Sequence, residues 1–490
     1  MDRKGDESPT TEHNEHAIPF TPKETRKLLR KIDIAILPLV SVMYLLSFLD
    51  RSNIGNARLA GLERDLGMKG WDYAVSVAVF YPFYIIIEVP SNLAMKKFRP
   101  SVWIPSIMLT WGIVTTLTGI VHNYAGLLAA RMALGIAEGG LFPGVAYYIT
   151  LWYPRHECGL RIAIFFSAAT AAGAFGGLLA RGIMEMDGIG GVGGWGWIFI
   201  LEGLLTVLVA VASYRFLNDY PDTAKFLNEK EQAEVVRRLR DDNSALSNEF
   251  RAQFVKDAFC DWKIWINCLM TLSNFLPVAS IAVFLPTIVK GMGYTNETAQ
   301  LLSVPPYIVA CAVTIGAGWY TDKRGERGIY VIGLAALPIV GLIILITVKS
   351  IAVKYFATFL VLSGVFPNVP QITSWNSNNV GGSVKRGVAV AMQIGTASIQ
   401  PLDSLSGNIG GVVSAFVYQA KDAPHYHKGH GILIAMCSVT IMLSSFMTWY
   451  LRKENARRDA VYKSPSEYTF AEMEVEADKG DNASFFRYTV

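Results

Sequence analysis

Two charged residues stand in an apolar stretch that hydropathy alone would leave uncharged. The stretch from Asn123 to Pro154 reads NYAGLLAARMALGIAEGGLFPGVAYYITLWYP, is long enough to cross a bilayer, and carries Arg131 and Glu138. Seven residues on a helix is about two turns, roughly 10 Å, so both side chains project from one face. A charge at membrane depth costs about 2.5–3.5 kcal/mol on insertion scales. A cation and an anion on one face of a crossing helix have two readings. They form a structural ion pair that holds helices together, or a charged site for a solute or a proton facing a polar cavity. Gly135, Gly139, Gly140 and Gly144 make another face small, which lets neighbouring helices approach closely.

The rest of the chain must position such a site in a membrane. Of 490 residues, 52% are hydrophobic and only 17% are charged, where soluble proteins carry roughly 25% charged residues. The apolar residues come in repeated long blocks, which predicts an all-α polytopic membrane protein with the lipid bilayer as its partner. The net charge of +4 is small, and its placement matters more than its size. Cys158, Cys260, Cys268, Cys311 and Cys437 show no metal or disulfide spacing. Met1 to Lys31 is polar throughout, so no cleavable signal peptide is visible and the first apolar helix is expected to serve as the targeting signal. No Gly-rich phosphate loop, His–Glu zinc motif or nucleophile elbow is present. That argues against an enzyme and against a transporter driven by its own ATPase domain. No cofactor, metal or nucleic acid is expected, and a monomer suffices.

Twelve spans are expected, at about 33–56, 72–95, 101–121, 123–152, 161–185, 195–216, 264–289, 298–320, 328–348, 353–375, 386–418 and 430–451. They divide into a six-helix bundle over 32–216 and a second over 264–451. A polar tail expected to be disordered (1–31), a central loop (217–263) and a C-terminal tail (452–490) complete the chain. Glu229 to Arg240 reads as a short amphipathic helix with a solvated face. The basic residues fall on one side: the N-terminal cluster, Lys96/Lys97/Arg99, Arg155/Arg161, the central loop, Lys323/Arg324/Arg327, Lys385/Arg386 and Arg452/Lys453/Arg457/Arg458. The positive-inside rule then puts both termini in the cytosol. Asn296-Glu297-Thr298, a glycosylation sequon, falls in an outside loop. The run from Gly318 to Arg327 at the end of span 8 has a weak echo from Asn92 to Arg99 after span 2, as expected for parallel repeats.

The pattern Gly318-x3-Asp322-Lys323-x-Gly325-x-Arg327 resembles the loop motif of the major facilitator superfamily; the first-half copy departs from it, with Asn92 for the glycine and Lys96 for the aspartate. Other pieces resemble the anion:cation symporter family, in particular its fungal allantoate and nicotinate permease branch. They are FLDRSNIGNA (Phe48 to Ala57), EVPSN (Glu88 to Asn92), Arg131-x6-Glu138-Gly139, AQLLSVPPY (Ala299 to Tyr307), SWN (Ser374 to Asn376) and KDAP (Lys421 to Pro424). The resemblance covers roughly 30–455. It implies the twelve-helix major facilitator fold, with Gly318, Asp322, Lys323, Gly325 and Arg327 as a gating loop. It implies that Asp50, Arg51, Arg131 and Glu138 line a central cavity, Arg51 and Arg131 attracting a substrate carboxylate and Asp50 and Glu138 acting as the proton-sensitive acids. An arginine fork matches a carboxylate bidentately, and hydropathy alone leaves Asp50 and Arg51 near the outer end of span 1, where snorkelling is the alternative. Tyr84 resembles the family's cavity tyrosine, with ordinary aromatic packing as the alternative. Asn376 and Asn408 are candidate substrate contacts in the second half, and Asn274, Asn368, Gln371 and Gln393 are other polar candidates; each of these amides has helix–helix bonding as its ordinary role.

Span 11 is irregular. Thr396 to Ser406 interrupts two apolar flanks that already supply about one span. The family pattern runs almost directly from Gln393–Gly395 to Asn408–Gly411. The segment is expected to be either a retained intron or an elaboration lining the cavity. The function implied is proton-coupled import of a small organic carboxylate, nicotinate or a related vitamin-like or nitrogen-source anion, at the plasma membrane. A non-transporting nutrient receptor of the same fold is the alternative.

Overall fold

The computed structural model describes residues 20–69, 71–154, 157–243, 252–294, 296–398, 426–464 and 467–490. Span 1 is Pro22–Leu59, so residues 22–31 of the tail expected to be disordered are helical instead. It starts with a capping box, in which Thr21 accepts from the Glu24 backbone and Glu24 accepts from Thr21, with Pro22 in the first turn. Span 2 is two helices, Asp72–Ala78 and Phe80–Lys97. Span 3 is Pro100–Thr118, span 5 Cys158–Met184 and span 6 Gly194–Phe216. Spans 7 to 10 are Trp262–Lys290, Asn296–Arg324, Gly328–Thr347 and Ile351–Asn379. Span 11 begins as Ser383–Ser398 and span 12 is His427–Val461. Spans 1 and 12 run well past their apolar cores, because a helix continues into water wherever capping and tertiary contacts satisfy its ends, and hydropathy reports only the apolar part.

Among the described residues ten helices are long and apolar enough to cross a membrane. Span 2 is not counted because its apolar part, Val75–Glu88, is shorter, and span 11 because its described helix is only Ser383–Ser398. Of the irregular segment, Thr396 to Ser398 extend the span 11 helix; the remainder, with Asn408, lies outside the described residues.

The packing repeats. Span 1 packs on spans 5 and 6, span 2 on span 4, and span 3 on span 6. Six spans later the same pairs recur: 7 with 11 and 12, 8 with 10, and 9 with 12. The halves meet through spans 5 and 8 and through spans 2 and 11, which is again one relation applied twice. The faint sequence echo between the halves is thus a repeat in three dimensions.

On the face that carries both described chain ends, the loop motif joins the halves. Asp322 Oδ2 accepts the backbone N–H of Leu160 at 2.7 Å, in the first turn of span 5. A carboxylate there satisfies an orphan donor and meets the positive end of the helix. Arg327, 2% exposed, pairs with Asp322 and donates to Gln371 at 3.3 Å. Gly318 has no side chain because span 5 is there: a Cβ would lie 2.6 Å from that of Ala163. Gly325 adopts φ +72°, which favours glycine.

Two polar segments dock on this face, the helix Glu229–Asn243 keeping its other side exposed as an amphipathic helix does. The helix Glu229–Asn243 is fastened by Lys31–Glu231 at 2.6 Å and Arg238–Glu157 at 2.7 Å, with Val235 buried beneath it. The C-terminal tail folds back on the second half. Asp481 pairs with Lys263 of span 7 and, at 2.6 Å, with Lys385 of span 11. Arg458 gathers the carbonyls of Asp481, Ala483 and Phe486 at 3.0–3.2 Å. Trp375 and Asn379 of span 10 each donate to the Thr489 carbonyl at 2.9 Å. Phe485, Phe486 and Tyr488 are buried in one cluster with Met270, Trp375 and Leu451.

Candidate functional site

Span 4 is not continuous. Tyr124–Glu138, capped by Asn123 accepting from Gly126 at 2.8 Å, ends at Glu138, and Leu141–Thr150 resumes two residues later. Between them Gly139 is extended (φ −60°, ψ 118°) and Gly140 lies at φ +107°. The break seats span 2 against span 4: a Cβ on Gly139 would come within 2.6 Å of the Tyr84 carbonyl oxygen, and one on Gly140 would collide with Ser91. The small face expected from Gly135, Gly139, Gly140 and Gly144 is therefore the seat of span 2, and its diglycine also ends the helix at the acidic residue.

Glu138 is fully buried. It accepts from Arg51 Nε at 2.6 Å and from the Ser47 hydroxyl, both on one face of span 1. Arg51 lies over the Tyr84 ring, its Cζ 4.8 Å from the centroid, and 5.7 Å from that of Phe80. The Arg131 Cζ is 5.1 Å from the same Phe80 ring, and its Nε donates to the Ser76 carbonyl at 3.2 Å. Two guanidiniums thus share one aromatic ring, an arrangement that holds both by cation–π attraction. Arg51 uses its Nε on Glu138; its Nη2, and Oε2 of Glu138, are buried without a hydrogen-bond partner.

Asp50, expected beside the arginines, turns away from them. It accepts from Trp111 Nε1 of span 3 at 2.8 Å and from the Thr206 hydroxyl of span 6 at 3.2 Å. Consecutive helical residues project about 100° apart, so Asp50 and Arg51 cannot serve one face. Glu88, one turn beyond Tyr84, is fully buried, and neither carboxylate oxygen has a hydrogen-bond partner. In the second half, Asn376 donates to Gln393 at 2.8 Å and to the Ala389 carbonyl at 3.3 Å, and Gln393 donates to Thr271 at 2.7 Å. Asn274 and Asn368 likewise donate to carbonyls of neighbouring helices. These amides tie spans 7, 9, 10 and 11 together. Asn296 begins the span 8 helix rather than lying in a loop.

Sequence reasoning missed Ser47, Ser76 and Phe80. The signal was present: Ser76, Phe80, Tyr84 and Glu88 recur every four residues on span 2, a polar and aromatic stripe at helical spacing.

Two repeated halves of membrane-crossing helices, with a buried charged and aromatic group in the first of them, have the architecture of a helical-bundle transporter. The sequence matches the Major Facilitator Superfamily over residues 40–399, and the chain belongs to that family. It is 34% identical over 491 residues to an uncharacterised transporter of Schizosaccharomyces pombe, covering 100% of this chain and 94% of that one. It is 34% identical over 486 residues to the MFS-type transporter cnsO of Penicillium expansum, covering 96% and 92%. Among solved structures, the proton:xylose symporter XylE superposes with a TM-score of 0.61 at 16% identity, covering 85% of this chain and 95% of that one. That likeness establishes the fold.

Proposed function

We propose that this protein imports a small organic carboxylate together with protons. The observation that carries the reading is the half-used fork of Arg51: Nε is held by Glu138 while Nη2 is buried and free. A guanidinium binds a carboxylate best through two parallel N–H groups. While Glu138 is ionised it occupies one of them. Protonation of Glu138 weakens its hold and offers the whole fork to an incoming anion. Arg131, on the other side of Phe80, supplies the second positive charge. The order is then proton first, anion second, which is symport. The membrane potential opposes uptake of a lone anion by about 2.3 kcal/mol per charge per 100 mV, and accompanying protons offset it.

Tyr84 orients Arg51 through its ring face, and two bundles rock about the site. The contact of Asp322 with span 5 closes the face carrying the chain ends. The basic residues on that face make it cytosolic by the positive-inside rule, with the plasma membrane as the site of action. Nicotinate or a similar vitamin-like or nitrogen-source anion is the substrate we favour, on the resemblance of the Phe48–Ala57 and Arg131–Gly139 pieces to permeases of such anions. Uptake of a panel of labelled carboxylates by cells expressing the protein, at acidic and neutral external pH, tests the reading. Accumulation of at least one carboxylate that rises with external acidity is expected; accumulation indifferent to pH for every carboxylate overturns it.

A further inference from the structure

The C-terminal tail and the loop between spans 8 and 9 meet at one residue. Arg327 begins span 9, and the first backbone N–H groups of a helix have no partner within it. The Arg327 N–H donates to the backbone oxygen of Val490 at 2.6 Å. Its guanidinium pairs with Asp322, which binds the first turn of span 5 in the other half. Gly159 leaves the room this needs: a Cβ there would collide with the Asp322 carboxylate and the Arg327 guanidinium. One residue thus carries the tail on its backbone and the contact between the halves on its side chain.

Span 10 makes the same connection a second time. Gln371, Trp375 and Asn379 are spaced four residues apart and share one face of that helix. Gln371 accepts from Arg327 at 3.3 Å and from the Thr321 hydroxyl at 3.0 Å. Trp375 and Asn379 hold the tail through the Thr489 carbonyl, and Asn379 also accepts the Thr489 N–H at 2.7 Å. Trp375 lies against Gly328 as well, where a Cβ would be 3.1 Å from its ring. Asn455 of span 12 grips Tyr488 by the same two-bond pattern, at 2.8 and 2.9 Å. Two side-chain amides therefore fix the register of residues 488 and 489 against Arg327. Asp481, between Lys263 and Lys385, anchors the segment before them. Each of these contacts lies in the second half, so the tail acts on the seam between the halves through Arg327 and span 10.

We infer that the tail is a latch on the gate at the face carrying the chain ends. Docked, it holds Arg327 where Asp322 closes span 8 onto span 5; released, it lets that face open. This goes beyond the transport reading above and does not depend on which solute is carried. Docking and closure share Arg327 and Gln371, so each stabilises the other by the same coupling free energy. A change that frees the tail then shifts the population towards the state open on that face.

Spin-label distances across the face test the latch without any substrate. Labels at Lys97→Cys of span 2 and Lys453→Cys of span 12, both exposed, report the separation of the halves. Cys260 and Cys311 are replaced by serine, which leaves only buried thiols besides the labels. The full chain in lipid nanodiscs should show one short separation. Asp481→Asn, and a chain shortened by residues 489–490, should each populate a longer separation at least about threefold more than the full chain does. Shortening leaves Asp481, Phe485, Phe486 and Tyr488 in place, and Asp481→Asn keeps every residue, so misfolding of one form does not remove the test. Linkage also demands the reverse effect. Asp322→Asn, which weakens closure, should speed limited proteolysis of residues 463–490 at neutral pH at least about threefold. A tail that merely covers the bundle would not respond to the gate. A longer separation in neither variant overturns the latch, as does tail cleavage at the wild-type rate in Asp322→Asn.

Discussion

Arg51 and Glu138 are 87 positions apart in the chain, and the Arg51 Nε donates to Glu138 Oε1 at 2.6 Å. Each acidic neighbour that would be the obvious partner is elsewhere: Asp50, next in sequence, is bound by Trp111 and Thr206, and Glu88 is unpartnered. The pair is buried and sits at the break of span 4, so its making and breaking can be coupled to a change in that helix. Five outcomes follow from it and from the elements around it.

Glu138→Gln keeps the shape of the acceptor and removes the charge that holds Arg51. Accumulation driven by external acidity should be lost, while exchange of labelled for unlabelled substrate across a membrane without a gradient persists. Unchanged pH dependence of accumulation in this variant removes Glu138 from the coupling step.

Arg131→Lys keeps a positive charge and loses the planar fork and its stacking on Phe80. Apparent substrate affinity should fall at least tenfold, which is about 1.4 kcal/mol. Near-normal uptake kinetics in the variant would make Arg131 a packing residue.

Phe80→Leu retains apolar bulk and removes the ring that both guanidiniums face. Cation–π contacts of this kind contribute about 0.5–2 kcal/mol each. A loss of affinity between about threefold and thirtyfold is expected, with Phe80→Tyr close to wild type. The ratio of the two variants, read as substrate-dependent thermal stabilisation of the purified protein, separates loss of the ring from loss of volume.

Gly140→Ala places a Cβ at φ +107° and against Ser91. The backbone term alone costs about 1–2 kcal/mol. Lower yield and a lower melting temperature in detergent are expected, with Gly182→Ala, where a Cβ meets nothing within 4 Å, as the neutral comparison.

The docked tail should be acid-sensitive. Burial alone would raise the Asp481 carboxyl, but Lys263 and Lys385 beside it outweigh that and hold it below the ordinary carboxylate range. A group whose folded value is depressed stabilises above its unfolded value and loses that contribution as pH falls through the folded one. The tail should therefore stay docked at neutral pH and loosen only in strong acid. Asp481→Asn, which leaves two buried ammonium groups with Asp261 as their remaining acid, should weaken docking by about 3 kcal/mol already at neutral pH. Limited proteolysis of residues 463–490 at both pH values measures it.

The sequence by itself determined the class of this protein. Long apolar blocks, few charges and a one-sided distribution of Lys and Arg specify a bundle of crossing helices, because lipid demands that each span satisfy its own backbone. The cost of charge in lipid singled out Arg131 and Glu138, and the loop motif from Gly318 to Arg327 carried the superfamily. What only the tertiary structure decided is who meets whom. Neighbours on a helix diverge by about 100°, so Asp50 and Arg51, read as a pair, serve different interfaces, while Ser47, Arg51 and Glu138 converge from two helices. Hydropathy is blind to a diglycine in an apolar run, so the break in span 4 was invisible until span 2 was seen to occupy the space. It is equally blind to a short aromatic run at the end of a polar tail: Phe485, Phe486 and Tyr488 flank a single Arg487, and only the second bundle, with Lys263, Lys385 and Trp375 in place, turns that segment into a docked element. Spacing along one helix is a local property and can be read from residues; pairing between helices depends on how they cross, and that is fixed by packing.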